Sequence, residues 1–373
     1  MIVGEHCLPS NWRNPECVSQ KVVDMSGLQR NASNLSLLPH RLVRIVGNEH
    51  LPGPTFILIF AVCAVLTMKT VVAADYPDRP VRFIVPAAPG GGPDVINRLV
   101  AAELTRQMGK QFVVDNRPGA SGSIGTEIIA RAAPDGYTIG NGNSATLVTN
   151  RFFLSKLPYD PDRDIQPVAQ HVITPLILAV GLSLPVKSVP ELIELARKNP
   201  GKLRFASSGN GSSAHLGGEL FKRMTGTQMT HIPYKAAQQG VTEIIGGQVQ
   251  LMFENVASIG VHVRSARVRG LAITTAKRSP SYPDLPTVAE SGVPNFEVMV
   301  WGSIVAPRGV AKDIINRLNL EINKALATST VKEKVDVLGN VLTGGTPEEF
   351  AAFIKREMVK WAVVIKDANI KAD

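Results

Sequence analysis

The stretch Pro86-Ala-Ala-Pro-Gly-Gly-Gly-Pro-Asp94 has the makings of an anion seat. It follows an apolar run, Val81-Arg-Phe-Ile-Val85, and opens a helical pattern near Val95. Three glycines between a buried strand and a helix N-terminus leave backbone N–H groups bare, and the helix macrodipole behind them favours negative charge. A carboxylate or phosphate bound there is one reading; a tight turn with no ligand is the other. The theme returns at Leu203-Arg-Phe-Ala-Ser207, which runs into Ser208-Gly-Asn-Gly-Ser-Ser213 and a helix containing His215.

Other chemistries fit less well. Gly209-Asn-Gly-Ser-Ser-Ala214 has dinucleotide-loop spacing, but the acidic residue expected about 20 positions on is replaced by His231-Ile-Pro-Tyr234. No loop ends in Gly-Lys-Ser/Thr, so a phosphate P-loop is excluded. Ser212 and His215 share one loop and helix turn with no third group to orient the imidazole, which favours capping over nucleophilic catalysis. His171, His215, His231 and His262 are dispersed, so neither a metal site nor a cofactor is expected. Asp94, Glu219 and Glu254 remain candidate acids or bases. Asp94 is equally suited to complementing a helix dipole. Binding without chemistry remains: backbone N–H and hydroxyl groups each contribute roughly 1.5–3 kcal/mol to holding an anion.

The chain has 373 residues, 44% hydrophobic and 19% charged, which suits two ordinary globular domains. A net charge of +9 arises from scattered Lys and Arg without a basic run, so nucleic acid is not an expected partner. Cys7, Cys17 and Cys63 all precede Asp75, leaving the body free of disulfides and thiolate metal sites. Phe56–Met68 runs without a charge, ends at Lys69 and is followed by Val72-Ala-Ala74, the form of a secretory signal with cleavage after Ala74. It is short against the roughly 20 residues of a membrane span, although an uncleaved signal-anchor is the alternative. Residues 1–54 lack periodicity and read as a disordered leader, with translation starting nearer the apolar run; residues 55–74 are the signal peptide.

From Tyr76 onward strands alternate with helices. Ile96, Val100, Leu104 and Met108 mark a first helix, and Phe112–Val114 and Tyr137–Gly140 mark further strands. Ile173–Val180 reads as a crossing into a second lobe and Val300–Val305 as the return. Ser188/Glu191, Thr287/Glu290 and Thr346/Glu349 have capping-box spacing. The expected architecture is α/β, with lobe 1 over 75–178, lobe 2 over 179–300 and a return to lobe 1 over 301–373. Gly/Ser loops at strand C-termini would face one another across a cleft that closes on a hinge.

Tyr76-Pro-Asp-Arg-Pro-Val81, the Pro-Gly-Gly-Gly-x-Asp loop, Asn116-Arg-Pro-Gly-Ala120 and Pro134-Asp-Gly-Tyr-Thr138 resemble the tripartite tricarboxylate transporter substrate-binding family (TctC, or Bug, proteins). Ser207–Ser212 with His215-Leu216, His231-Ile-Pro-Tyr-Lys235, Pro286–Gly292 and the Trp361 helix continue the likeness to near Asp373. The resemblance implies a type II periplasmic binding-protein fold, two Rossmann-like lobes that capture a ligand by closure. It implies a monomer that binds a small carboxylate: a tricarboxylate, dicarboxylate, acidic amino acid or aromatic acid. It implies membrane transporter subunits as partners; a sensing role and an enzyme using the same cleft stay open as alternatives. Carried over, the ligand site comprises Ala87, Gly91, Gly92 and Asp94 in the first loop and Ser144, Ala145 and Thr146 after the third strand. Asn210, Gly211, Ser212 and His215 face them, with Tyr234 and Glu254 completing the set. Where the family has an aromatic after Pro86 this chain has Ala87, which implies a roomier pocket. Ala236 replaces a common Gly, which should restrict that turn, and Glu254 replaces a common Asp.

N-terminal sequencing of the exported protein should begin at Asp75; a retained 1–74 segment would overturn the signal-peptide reading.

Overall fold

A computed structural model describes residues 76–370. The leader, the apolar run, the cleavage site and the three cysteines lie outside the described residues.

The chain folds as two α/β lobes. The first is built on β1 (Val81–Val85), β2 (Phe112–Asn116) and β3 (Thr138–Asn143), with α1 (Gly92–Met108) and α2 (Ser123–Ala130) between them. Beyond β3 a π-helical turn, Ala145–Thr149, continues into a helical turn at Asn150–Phe153. The long strand β4 (Ile165–Val180) then leads into the second lobe. There α3 (Val189–Lys198), β5 (Arg204–Ser207), α4 (Ser213–Thr225), β6 (Thr230–Pro233), α5 (Ala237–Ile245), β7 (Leu251–Asn255), α6 (Val256–Arg264) and β8 (Arg269–Ile273) follow. The strand β9 (Met299–Pro307) returns, and α7 (Lys312–Ala327), α8 (Ser329–Val337), β10 (Val341–Leu342) and α9 (Pro347–Asp367) complete the order.

The first sheet runs β2-β1-β3-β9-β4, with β10 on the outer side of β4. The second runs β6-β5-β7-β4-β8. These orders correspond position for position: three parallel strands, one antiparallel strand arriving from the other lobe, then a last strand. β9 is the incoming strand of the first sheet and β4 that of the second. β4 belongs to both, pairing β9 as far as Pro175 and β7 and β8 from Leu176 onward.

Both faces of each sheet are covered, which is why the strands read as nearly continuous apolar runs. Val81, Phe83 and Val85 pack under Ile96, Val100 and Leu104 of α1 and Leu318 and Ile322 of α7, whereas Ile84 faces the opposite core. That opposite core extends through Phe205, Phe221, Phe253, Trp301, Phe350 and Trp361, so α9 is bound into packing shared with α4. Arg223 of α4 pairs with Asp367 of α9.

Several local readings change in three dimensions. β3 continues to Asn143, past the expected strand end at Gly140, because β9 supplies backbone partners through Asn143. The Thr346/Glu349 capping box forms at α9. Thr287 and Glu290 exchange the same two hydrogen bonds, both 2.9 Å, but no helix follows, since Gly292 turns at φ 99° and Pro294 stands two positions on. Ala236 is extended (φ −149°), a conformation open to any residue, so the missing Gly restricts nothing.

Gly218 sets how closely α4 lies on β5. A Cβ there would sit 2.2 Å from Cε2 of Phe205, a fully buried ring. Gly218→Ala is expected to cost roughly 1–3 kcal/mol of stability through overpacking, read as a lower denaturant midpoint at unchanged m-value.

Candidate functional site

The sheet orders bring the C-terminal ends of β1, β3, β5 and β7 to one cleft between the lobes. Its volume is about 480 Å³. Four helical N-termini border it: Gly92 and Pro93 of α1, Ser144 and Ala145 at the π-helical turn, Ser212 and Ser213 at α4, and Ala257 and Ser258 at α6. Ile96, Val172, Leu216, Met299, Val300, Trp301 and Trp361 give it apolar walls. Among the described residues, those lining it include no Lys, Arg, Asp or Glu. The field inside is therefore set by peptide dipoles, which favour an anion at the N-terminal ends of helices.

The Gly-rich loop at the start of α1 is more self-contained than its sequence implies. The Gly90 N–H donates to Asp94 Oδ2 (2.8 Å), the Gly91 N–H to the Ala88 carbonyl (3.3 Å), and Pro93 has no N–H to offer. Gly92 is the glycine of this loop that borders the cleft. Asp94 is buried and turned into the protein, where its carboxylate also accepts from Arg98 Nε (3.0 Å) and Asn116 Nδ2 (2.8 Å). Burial alone would raise its pKa, but these donors together hold it below the usual carboxylate range. Asp94 thus ties the loop to α1 and β2. Ala87 donates to Val85 and its carbonyl accepts from Asn116, away from the lining.

Of the other expected residues, Ser144, Ala145, Gly211 and Ser212 line the cleft. Thr146 is fully buried and its hydroxyl accepts the Asn143 N–H (3.1 Å). Asn143 Oδ1 in turn accepts the N–H groups of Ala145 and Thr146, both at 3.0 Å, capping the π-helical turn. Ser212 is the N-cap of α4, accepting the His215 N–H at 3.2 Å. His215 lies behind the loop: its Nδ1 accepts the Gly211 N–H (3.1 Å), and its ring stacks on His231 at 3.6 Å between centroids. Burial first, then His231 and Lys222, push His215 down to about 3, so the imidazole is neutral and its acceptor nitrogen persists at neutral pH. Tyr234 packs against the core around Met252 and is not among the lining residues, nor is Asn210. Across the cleft, Phe153 of the first lobe lies against Gly211, where a Cβ would meet its ring at 2.8 Å.

The structure adds cleft residues outside the expected ligand-site set: Asn97, Asn141, Thr149, His171, Thr174, Asn255, Trp301 and Asn340. Four of these carry a buried polar atom with no protein partner: Asn97 Oδ1, His171 Nδ1, Asn255 Oδ1 and Trp301 Nε1. Asn97 had a legible signal, a polar residue three and seven positions before Val100 and Leu104 on the apolar face of α1. Nothing in the local sequence singles out His171 or Trp301.

Residues 96–370 match the family model described as the tripartite tricarboxylate transporter family receptor, TctC. The chain is 38% identical over 302 residues to the protein BugT of Bordetella pertussis, covering 80% of this chain and 93% of that protein. An R. palustris protein solved with adipate is 38% identical, with a TM-score of 0.66 over 79% of this chain and 99% of that one. MatC from Rhodopseudomonas palustris, solved with bound malate, is 30% identical, with a TM-score of 0.62 over 78% of this chain and all (100%) of that one.

Glu254, on the strand that delivers Asn255 to the cleft, is buried and not itself a lining residue. Its Oε1 accepts the Asn255 N–H (2.8 Å), and Oε2 has no protein partner. Burial, only partly offset by Asn255, raises its pKa from 4.5 to about 7. The native state keeps this proton up to about pH 7 whereas the unfolded chain loses it above 4.5, so the group's contribution to stability is full below 4.5 and declines as pH rises to about 7. Glu254→Gln, neutral throughout, should raise stability near pH 8 by on the order of 3 kcal/mol, seen as a higher Tm. The gain should vanish by about pH 4.5 in thermal melts.

Proposed function

Because the chain belongs to the tripartite tricarboxylate transporter family of receptors, whose relatives include the periplasmic binding protein BugD, we propose that it captures a small carboxylate between its lobes for uptake. The observation that carries this reading is the convergence of four helical N-termini on a cleft whose lining, among the described residues, has no Lys, Arg, Asp or Glu. An anion held by dipoles and hydroxyls needs no counter-ion, and apolar walls shield it from water. The adipate and malate bound by two relatives are small carboxylates of a size that such a cleft accommodates.

The lining also argues against turnover. Among the described residues it offers no carboxylate or Lys, and burial pushes His171 down to about 4, far from the value a general base needs near neutral pH. Capture followed by closure, release at a membrane transporter and location in the periplasm complete the proposal. The ordered loops of both lobes, joined through β4 and β9, supply the two jaws.

A thermal-shift screen of the purified chain against mono-, di- and tricarboxylates, with the mixtures then checked for products, tests it. Saturable stabilisation is expected, about 2.7 kcal/mol at a hundredfold excess over Kd, with every ligand recovered unchanged. Product formation, or no stabilisation by any carboxylate, would sink the proposal.

A further inference from the structure

At one edge of the cleft an aromatic ring of the first lobe rests on the backbone of the second. Gly211, a lining residue between β5 and α4, turns at φ 72°. A Cβ there would lie 2.8, 3.0 and 3.1 Å from Cε2, Cζ and Cδ2 of Phe153. The ring edge thus occupies the space in which any other residue at this position would carry a side chain. Glycine is required twice over, by the positive φ and by the ring. Phe153 is half-buried and is not itself a lining residue, so the contact borders the ligand space without filling it.

Each side of this contact is fixed to its own lobe. Phe153 ends the helical turn Asn150–Phe153, where Asn150 Nδ2 donates to the Ser121 carbonyl (3.0 Å) and to Ser123 Oγ (3.1 Å) of the first lobe. Farther along, the Tyr159 hydroxyl donates to the Thr146 carbonyl (2.8 Å). Gly211 is held within the second lobe, its N–H donating to His215 Nδ1 (3.1 Å) and the Ser212 N–H to the Gly209 carbonyl (3.2 Å). None of these bonds crosses the cleft. A rotation of the lobes that draws α4 away from the π-helical turn must therefore lift the ring off Gly211. The contact is apolar and indifferent to salt, unlike the half-exposed Arg223–Asp367 pair between α4 and α9.

We infer that Phe153 is an inter-lobe latch, whose ring on Gly211 holds the closed form and so sets how long the ligand is kept. The inference rests on the reading of capture between lobes and names a contact that closure makes. Phe153 follows the π-helical turn that begins at Ala145, and Gly211 immediately precedes the N-cap of α4. The latch thus brings two of the four N-termini together. Apparent affinity falls with the fraction of chain in the binding-competent form, so a contact outside the ligand space adjusts retention for every ligand alike. One ring on one glycine is also a small contact, as a latch that must release requires.

Hydrogen–deuterium exchange of the full, ligand-free chain, read peptide by peptide in a mass spectrometer, tests the latch. Phe153→Ala should speed exchange across residues 208–216 by about fivefold or more, although the substitution lies in the other lobe. Gly211→Ala, which drives a methyl group into the ring, should likewise speed exchange across residues 150–157 of the first lobe. Phe153→Leu keeps an apolar side chain and should stay within about twofold of the unsubstituted chain. Unchanged exchange in the peptides of β1 and β7 verifies that both lobes stay folded. Acceleration confined to the lobe that carries the substitution, or none at all, would overturn the latch. With no ligand present, that result leaves the carboxylate reading standing, whereas a failed carboxylate screen leaves the latch standing.

Discussion

One strand obliges the rest of the molecule to take its shape. β4 satisfies its backbone hydrogen bonds first in one sheet and then in another, with the change at Pro175 and Leu176. A strand cannot leave a buried edge unpaired, so each lobe must supply neighbours for its half of β4. β9 returns antiparallel beside its first half and β7 and β8 flank its second. The lobes are thus joined by continuous hydrogen-bonded ribbon, not by a loose linker. That ribbon is also the floor of the cleft, because Val172, Thr174, Val300, Trp301 and Gly302 lie where the two sheets meet.

Parallel strands on either side of that floor then aim their C-terminal loops inward, and the helices that follow present their N-termini. The two Gly/Ser loops solve the same problem with different supports. In the first, a buried ionised Asp94 gathers Gly90, Arg98 and Asn116. In the second, a neutral His215 holds Gly211 from behind while Ser212 caps its own helix. Both supports lie one step back from the cleft. Asp94 and His215, which look catalytic in the sequence, therefore act here as positioning groups, and the described cleft lining is hydroxyls, amides, the His171 imidazole and apolar walls.

Much of this was legible beforehand for a physical reason. Strand runs such as Val81–Val85 and Ile173–Val180, the fourfold spacing of Ile96, Val100 and Leu104, and the Thr346 capping box depend on neighbours within one or two turns. The Gly loops declared a strand-to-helix turn, and their repetition in a second lobe declared a cleft. The export signal lay outside the described residues and stays a reading of sequence alone.

What tertiary structure decided is which polar groups face the ligand. Whether Asp94 looks outward or inward depends on Asn116, 22 residues away on another strand. β3 reaches Asn143 only because β9 pairs with it from 160 residues later in the chain, as the Gly142 carbonyl and Ser303 hydroxyl illustrate at a separation of 161. His171 joins the cleft lining where β4 bulges between Gln170 and Val172, and a bulge is a property of two strands in register that neither strand's alternation can announce. Sequence by itself determined the elements and the kind of cleft, since those follow from local spacing. The identity of the cleft's acceptors and donors arose only when distant strands were brought into register, because side-chain direction in a sheet is set by pairing.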